Sequence, residues 1–358
     1  MFESLGLENT TPREASVLFA LGLGLLFGFL AERTGFCLRR SVVAGPDRRA
    51  AAGVWATALA VAVLGTQLAV WGGYISFDGH RLVNGDLPWL AIVTGGILFG
   101  AGMVLTRGCV SRLMVLGASG NLRALLVITV FAIVAHATLK GVLAPLRTLL
   151  GEVSVPLGDA ASLAALPGGG LLWAGIIAAV ALALALRSGN GVLALSGAAV
   201  IGLLAAAGWV GTGYVLFDDF DPIAMESLSF TAPAADSLFF VVASSSIPAG
   251  FGAGLLGGVL VGALAASLLF GSFRWQSFDS PAQTGRYLGG AAMMGVGGVL
   301  AGGCTVGAGL AGVPTLGVAA LLALVAIVAG ARIMDAVLNR SSAGSDAPET
   351  TPTLQPAE

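Results

Sequence analysis

Apolar residues run in long, nearly unbroken blocks along this chain, and charged residues are confined to the gaps between them. Blocks at roughly 15–31, 50–71, 89–105, 124–143, 171–186, 191–209, 248–270, 286–301 and 314–334 approach the ~20 residues that a helix needs to cross hydrocarbon. They predict an all-α polytopic membrane protein of nine transmembrane helices. The blocks at 89–105, 171–186 and 286–301 are short, and the first and last of these are rich in glycine, so broken or partial helices are expected there. Glu3, Glu8, Arg13 and Glu14 ahead of the first block do not make a basic signal-peptide leader, so that block is expected to stay in the mature protein. Residues 341–358 are polar throughout and are expected to be a disordered tail, leaving 1–340 as one transmembrane domain.

Composition supports the membrane reading: 56% of residues are hydrophobic and 10% charged, with mean hydropathy +0.93, against about 25% charged in soluble domains. The lipid bilayer is thus the first expected partner. A net charge of -2 and no basic stripe give no sign of nucleic-acid binding. Nine crossings put the termini on opposite sides. With the N-terminus outside, thirteen basic residues fall inside (Arg33, Arg39, Arg40, Arg48, Arg49, Arg107, Arg112, Arg123, Arg187, Arg274, Arg286, Arg332, Arg340) and four outside (Arg13, Arg81, Lys140, Arg147). The positive-inside rule therefore predicts a periplasmic N-terminus and a cytoplasmic C-terminus. The acidic segment 212–246 then lies outside and reads as a solvated loop.

A repeat is visible within the apolar blocks. Counting back from Cys109 and from Cys304, glycine recurs at positions minus 1, minus 7, minus 9 and minus 14, with Val at minus 5 and Leu at minus 4. A weaker echo, Leu-Phe-Gly at minus 11 to minus 9, precedes both Cys37 and Cys109. In the assigned topology the helix before Cys109 runs inward and the one before Cys304 runs outward. The two units, centred near 89–125 and 286–320, are therefore expected to be inverted copies, the plan by which many transporters build a midplane site.

Cys37, Cys109 and Cys304 are the only three cysteines, and each follows a glycine by one or two residues at the end of an apolar block. An odd count leaves no complete disulfide framework. A buried free cysteine is ordinarily a small hydrophobe, a reading that weakens when all three share one local setting. Three thiols with His136 could also form a tetrahedral metal site, but the short spacings of structural zinc sites are missing, so no metal is expected. His136, inside an apolar block, is expected to hydrogen-bond a neighbouring helix.

The motifs T-G-F-C-L-R-R, G-x-G-M-V-L-T-R-G-C-V-S-R-L and G-V-G-G-V-L-A-G-G-C-T-V-G-A-G-L-A-G, with M-E-S-L-S-F-T-A-P and F-R-W-Q-S-F, resemble the YeeE/YedE family of bacterial membrane proteins. The resemblance covers nearly the whole chain. It implies a thiosulfate importer of the bacterial inner membrane with nine transmembrane helices and re-entrant loops that carry Cys37, Cys109 and Cys304 toward the middle of the bilayer. It also implies a small cytoplasmic TusA-like sulfur carrier as a partner. Some members are assigned to other sulfur or selenium compounds, so the substrate class is implied more strongly than the substrate.

Thiosulfate is a dianion, and moving it through hydrocarbon without partners is prohibitive. A protonated thiol is a weak, polarizable donor suited to a soft sulfur that must be released again, whereas a thiolate would repel the dianion. Gly35, Gly108, Gly302 and Gly303 would let the backbone turn and present N–H groups to the sulfonate oxygens. Arg39, Arg40, Arg107 and Arg112 are candidates to draw the anion inward, Arg107 first among them. The expected function is uptake along a relay of three thiols, without catalysis or cofactor. The alternatives are a membrane sulfurtransferase that keeps the outer sulfur as a cysteine persulfide, a transporter of a related sulfur or selenium compound, and a structural subunit with inert thiols.

Overall fold

The computed structural model describes residues 10–83, 85–278 and 280–343, apart from the side chains of residues 159 and 341–343. The chain is helical almost throughout. In order, α1 is Pro12–Thr34, α2 Leu38–Val42, α3 Arg48–Trp71, α4 Trp89–Leu105, α5 Val110–Ala118, α6 Leu122–Lys140 and α7 Ala144–Gly151. There follow α8 Gly169–Leu186, α9 Val192–Val210, α10 Thr231–Val242, α11 Phe251–Leu269, α12 Pro281–Leu300 and α13 Val318–Ala343. A two-residue antiparallel pairing of Asp86–Leu87 with Val155–Pro156 ties two loops together.

Among the described residues, nine helical segments are long and apolar enough to cross a membrane, and they coincide with the nine apolar blocks. Their ends are set by local chemistry. Thr11 and Glu14 form a capping box at α1, Asn121 caps α6, and Ser280 caps α12 ahead of Pro281. We call the face on which α1 begins the first face and the opposite one the second.

Three expectations need correction. The short blocks are not broken: α4, α8 and α12 are continuous helices of 17, 18 and 20 residues. Glycine inside α4 and α12 serves packing, and the breaks come after these helices, at the cysteines. Segment 212–246 is a solvated loop only over 217–226, which carries Asp218, Asp219, Asp221 and Glu226 and is largely exposed; residues Gly211–Val215 extend α9 as a π-helical turn and α10 follows, with Leu228, Phe230 and Ala235 fully buried. His136 stacks on Phe239 of α10, 4.5 Å between ring centroids at 13°, and its buried Nδ1 makes no hydrogen bond. The polar tail from 344 onward lies outside the described residues, while the backbone of 341–343 continues α13.

Small residues hold the bundle together, as expected where lipid removes the hydrophobic drive for helix association. Gly24 and Gly28 on α1 face Gly254, Gly258 and Gly262 on α11 so closely that a Cβ at any of them would strike the other helix's backbone. The repeat glycines pack in the same way and reciprocally. Gly95 of α4 lies against Gly297 of α12, and Gly102 of α4 against Gly290 of α12. The remaining pair also matches: Gly100 of α4 abuts α13 at Ile327, and Gly295 of α12 abuts α6 at Val134. Inside this frame sit Phe27, Phe99, Phe131, Phe230, Met103 and Met294, all fully buried.

Candidate functional site

All three cysteines are free and buried, with 2%, 1% and 0% exposure for Cys37, Cys109 and Cys304. Each is placed by the same local device. A spanning helix ends, one residue takes the left-handed conformation, and the cysteine two positions on starts a new short helix as its N-cap. The left-handed residues are Gly35 (φ 61°) after α1, Arg107 (φ 60°) after α4 and Gly302 (φ 75°) after α12. Gly108 and Gly303, one position nearer the cysteine, are not left-handed. Of the four glycines expected to turn the chain, Gly35 and Gly302 take the left-handed conformation, whereas Gly108 and Gly303 do not, and in the Cys109 unit the turn falls on Arg107. A left-handed turn costs a non-glycine residue about 1–2 kcal/mol.

The three breaks converge. The α4 helix runs toward the second face and α12 toward the first, yet the sulfur of Cys109 interacts with the hydroxyl of Thr305, the residue after Cys304. Two antiparallel helices about 26–30 Å long can bring those groups together only if the chain turns back into the bundle after each. Cys109 is the centre of the cluster. Its sulfur lies 3.3 Å from Ser111 Oγ and also interacts with the Cys37 thiol. Cys304 Sγ accepts from the Gly307 N–H at 3.4 Å, and the Phe230 backbone also approaches it. Thr106, just before the left-handed Arg107, ties its break together by donating to the carbonyls of Gly102 and Gly108, both at 3.0 Å.

Among the arginines of the motifs, Arg112 is occupied structurally: Nη1 donates to Ala31 O and pairs with Glu32 Oε2, both at 3.3 Å, which joins α5 to α1. Arg40 pairs with Asp47 at 2.8 Å and reaches Gly35 O. Arg39 differs. It stands near Cys37, Arg107 and Asp335, and its buried Nε has no partner.

From the first face a cavity of about 410 Å³ descends to this cluster, lined by His80, Arg81, Trp209, Glu226, Ser229 and Gly307 among others. Gly307 and the neighbouring Phe230 are the backbone contacts of Cys304, so the cavity floor is also the wall of the thiol site. Burial raises the Glu226 carboxyl above its ordinary pKa, against the pull of Arg81. Burial and Arg81 together lower that of the His80 imidazole. Sequence reasoning missed Ser111, Thr305, Ser229 and Arg81. The first two had a signal, since a hydroxyl stands within two residues of a motif cysteine.

A glycine-packed bundle of spanning helices, with chain breaks that turn inward and bury three free thiols, defines a polytopic membrane protein with a sulfur-lined interior. The chain belongs to the sulphur transport family, whose profile matches residues 33–333, and this is the YeeE/YedE family its cysteine motifs resemble. It is also similar to the thiosulfate transporter TsuA of Escherichia coli (strain K12), at 25% identity over 329 residues, 82% of this chain and 86% of that one.

Proposed function

We propose that this chain imports thiosulfate across the bacterial inner membrane, passing it along Cys304, Cys109 and Cys37 in that order. The observation that carries the reading is the position of Cys109, whose sulfur interacts with the Cys37 thiol on one side and with Thr305, beside Cys304, on the other. Single neutral hydrogen bonds contribute only about 0.5–1.5 kcal/mol each. A row of such weak stations lets an ion move on, where one tight site would hold it. The similarity to a protein named as a thiosulfate transporter supports this substrate.

The first face is then periplasmic and the second cytoplasmic, consistent with the thirteen basic residues assigned to the second. A small TusA-like sulfur carrier would accept the product there. The reciprocal contacts of Gly95 with Gly297 and of Gly102 with Gly290 support two inverted units around 89–125 and 286–320, because copies related by an axis between them would touch in that crossed pattern. Gly35 and Gly302 supply the turns, Gly108 and Gly303 the close approach at the cysteines, and Arg107 a positive charge beside Cys109.

Growth tests the reading. A host lacking its own thiosulfate uptake should grow on thiosulfate as sole sulfur source only when this chain is expressed. Labelling each sulfur separately should show both labels arriving inside together. Arrival of the outer sulfur alone would replace transport with a persulfide-forming transferase.

A further inference from the structure

Arg81 lies outside every sequence motif, in the loop between α3 and α4. Of the other basic residues on the first face, Arg13 donates to the carbonyls of Pro248 and Ala249, Lys140 pairs with Asp236, and Arg147, which has no side-chain partner among the described residues, lines only the second of the two cavities described next. Arg81 makes a single long hydrogen bond, from Nη1 to the carbonyl of Gly302 at 3.4 Å, and no ion pair among the described residues. Gly302 is the left-handed residue that sets up Cys304.

Arg81 also lines two cavities at once. One is the 410 Å³ cavity that reaches Gly307; the other, about 370 Å³, is bounded by Ala301, Gly302 and Ala308. The guanidinium therefore stands where the two meet, over the break that carries Cys304. Glu226 faces it from the wall of the first cavity, near enough to feel its charge though the two form no direct ion pair. The acids Asp218, Asp219 and Asp221 line neither cavity. Those three acids thus lie off the proposed path, whereas Glu226 stands in the first cavity and Asp86 in the second.

We propose that Arg81 captures the substrate: its guanidinium binds the oxygens of an incoming tetrahedral sulfur oxyanion above Cys304 and orients the soft sulfur toward the thiol. A planar guanidinium offers paired N–H groups matched to such oxygens, and a dianion leaving water needs a cation at its first station. The Gly302 carbonyl holds the side chain over the site when it is empty and is a weak enough acceptor to be displaced. Glu226 competes with the anion for the same guanidinium and so sets how tightly the anion is held. The assignment rests on the proposed transport function, but its test does not depend on transport alone.

The test uses the full chain, purified and reconstituted, with thiosulfate uptake measured kinetically and thiosulfate binding measured by calorimetry in detergent. Arg81→Gln should raise the KM for uptake by about tenfold or more with kcat within about twofold, because it removes a charge-assisted contact made before the transport step. Arg81→Lys should restore part of the loss, and Glu226→Gln should lower KM. A structural role for Arg81 would instead shift thermal unfolding and would not respond to Glu226→Gln. An Arg81→Gln KM equal to wild type overturns the assignment and leaves the transport reading intact. Arg81-dependent binding in a chain that imports no thiosulfate keeps the site and retires the transport reading.

Discussion

The units ending in Cys109 and Cys304 share their glycines, their close contact with each other and their turn, and differ at three points. Where the first has Arg107 in the left-handed position, the second has Gly302. After the cysteine the first continues as the nine-residue α-helix α5, and the second as a π-helical run, Thr305–Gly312. At the position before the cysteine, a Cβ on Gly108 would meet the side chain of Leu113, whereas one on Gly303 would meet the backbone nitrogen of Ala308. The tighter, wider-wound break lies below the first-face cavity, where backbone groups surround Cys304. The looser one carries a charge and packs against side chains. The same local device, used twice in opposite directions, thus differs in packing and in charge between the two breaks.

The largest expected difference concerns the glycines before the cysteines. Gly303→Val should cost on the order of 2–4 kcal/mol, because the backbone it meets cannot yield, whereas Gly108→Val should cost less than about 1.5 kcal/mol after Leu113 rotates. Thermal unfolding of the two purified variants reads the difference, and equal losses would mean that the two breaks are packed alike.

A smaller and opposite pair of effects is expected at the left-handed positions. Arg107→Gly should stabilise the protein by about 1 kcal/mol and Gly302→Ala should destabilise it by a similar amount, because only glycine adopts that conformation without strain. Uptake by Arg107→Gly should fall even as its unfolding temperature rises, since the charge beside Cys109 is lost. Full uptake by the stabilised variant would show that the arginine has no part in transport.

Much of this architecture was legible in the sequence because its grammar is local. A block of apolar residues long enough to cross hydrocarbon has few alternatives in lipid, so all nine spans were readable. The glycines at matched offsets from Cys109 and Cys304 were readable as a repeat, although their crossed contact was not. What escaped was set by tertiary context. Helix α10 is only 12 residues long and follows a run of acids, and its packing against α6 and α11 buries only Thr231, Ala234 and Ala235, too few to leave a periodic trace. In the Cys109 unit the left-handed turn was placed one residue late because glycine normally takes it, and Arg107 does so against its own preference. Arg81 had no signal at all, since a lone arginine in an outward loop looks like any solvated charge until the fold sets it over Gly302.

The central claim is that thiosulfate passes by way of the buried thiols, and Cys109 tests it most directly because its sulfur interacts with both neighbouring elements of the path. Wild type, Cys109→Ala and Cys109→Ser should be reconstituted into liposomes at equal density and matched by thermal unfolding, and the initial rate of labelled thiosulfate uptake measured for each. Removing a thiol leaves a void of little more than one atom and should preserve the fold. The account predicts background uptake for the alanine variant and a severe, less complete loss for serine, whose hydroxyl is a harder donor. Uptake by Cys109→Ala at the wild-type rate would contradict it and make Cys109 a small residue of the core.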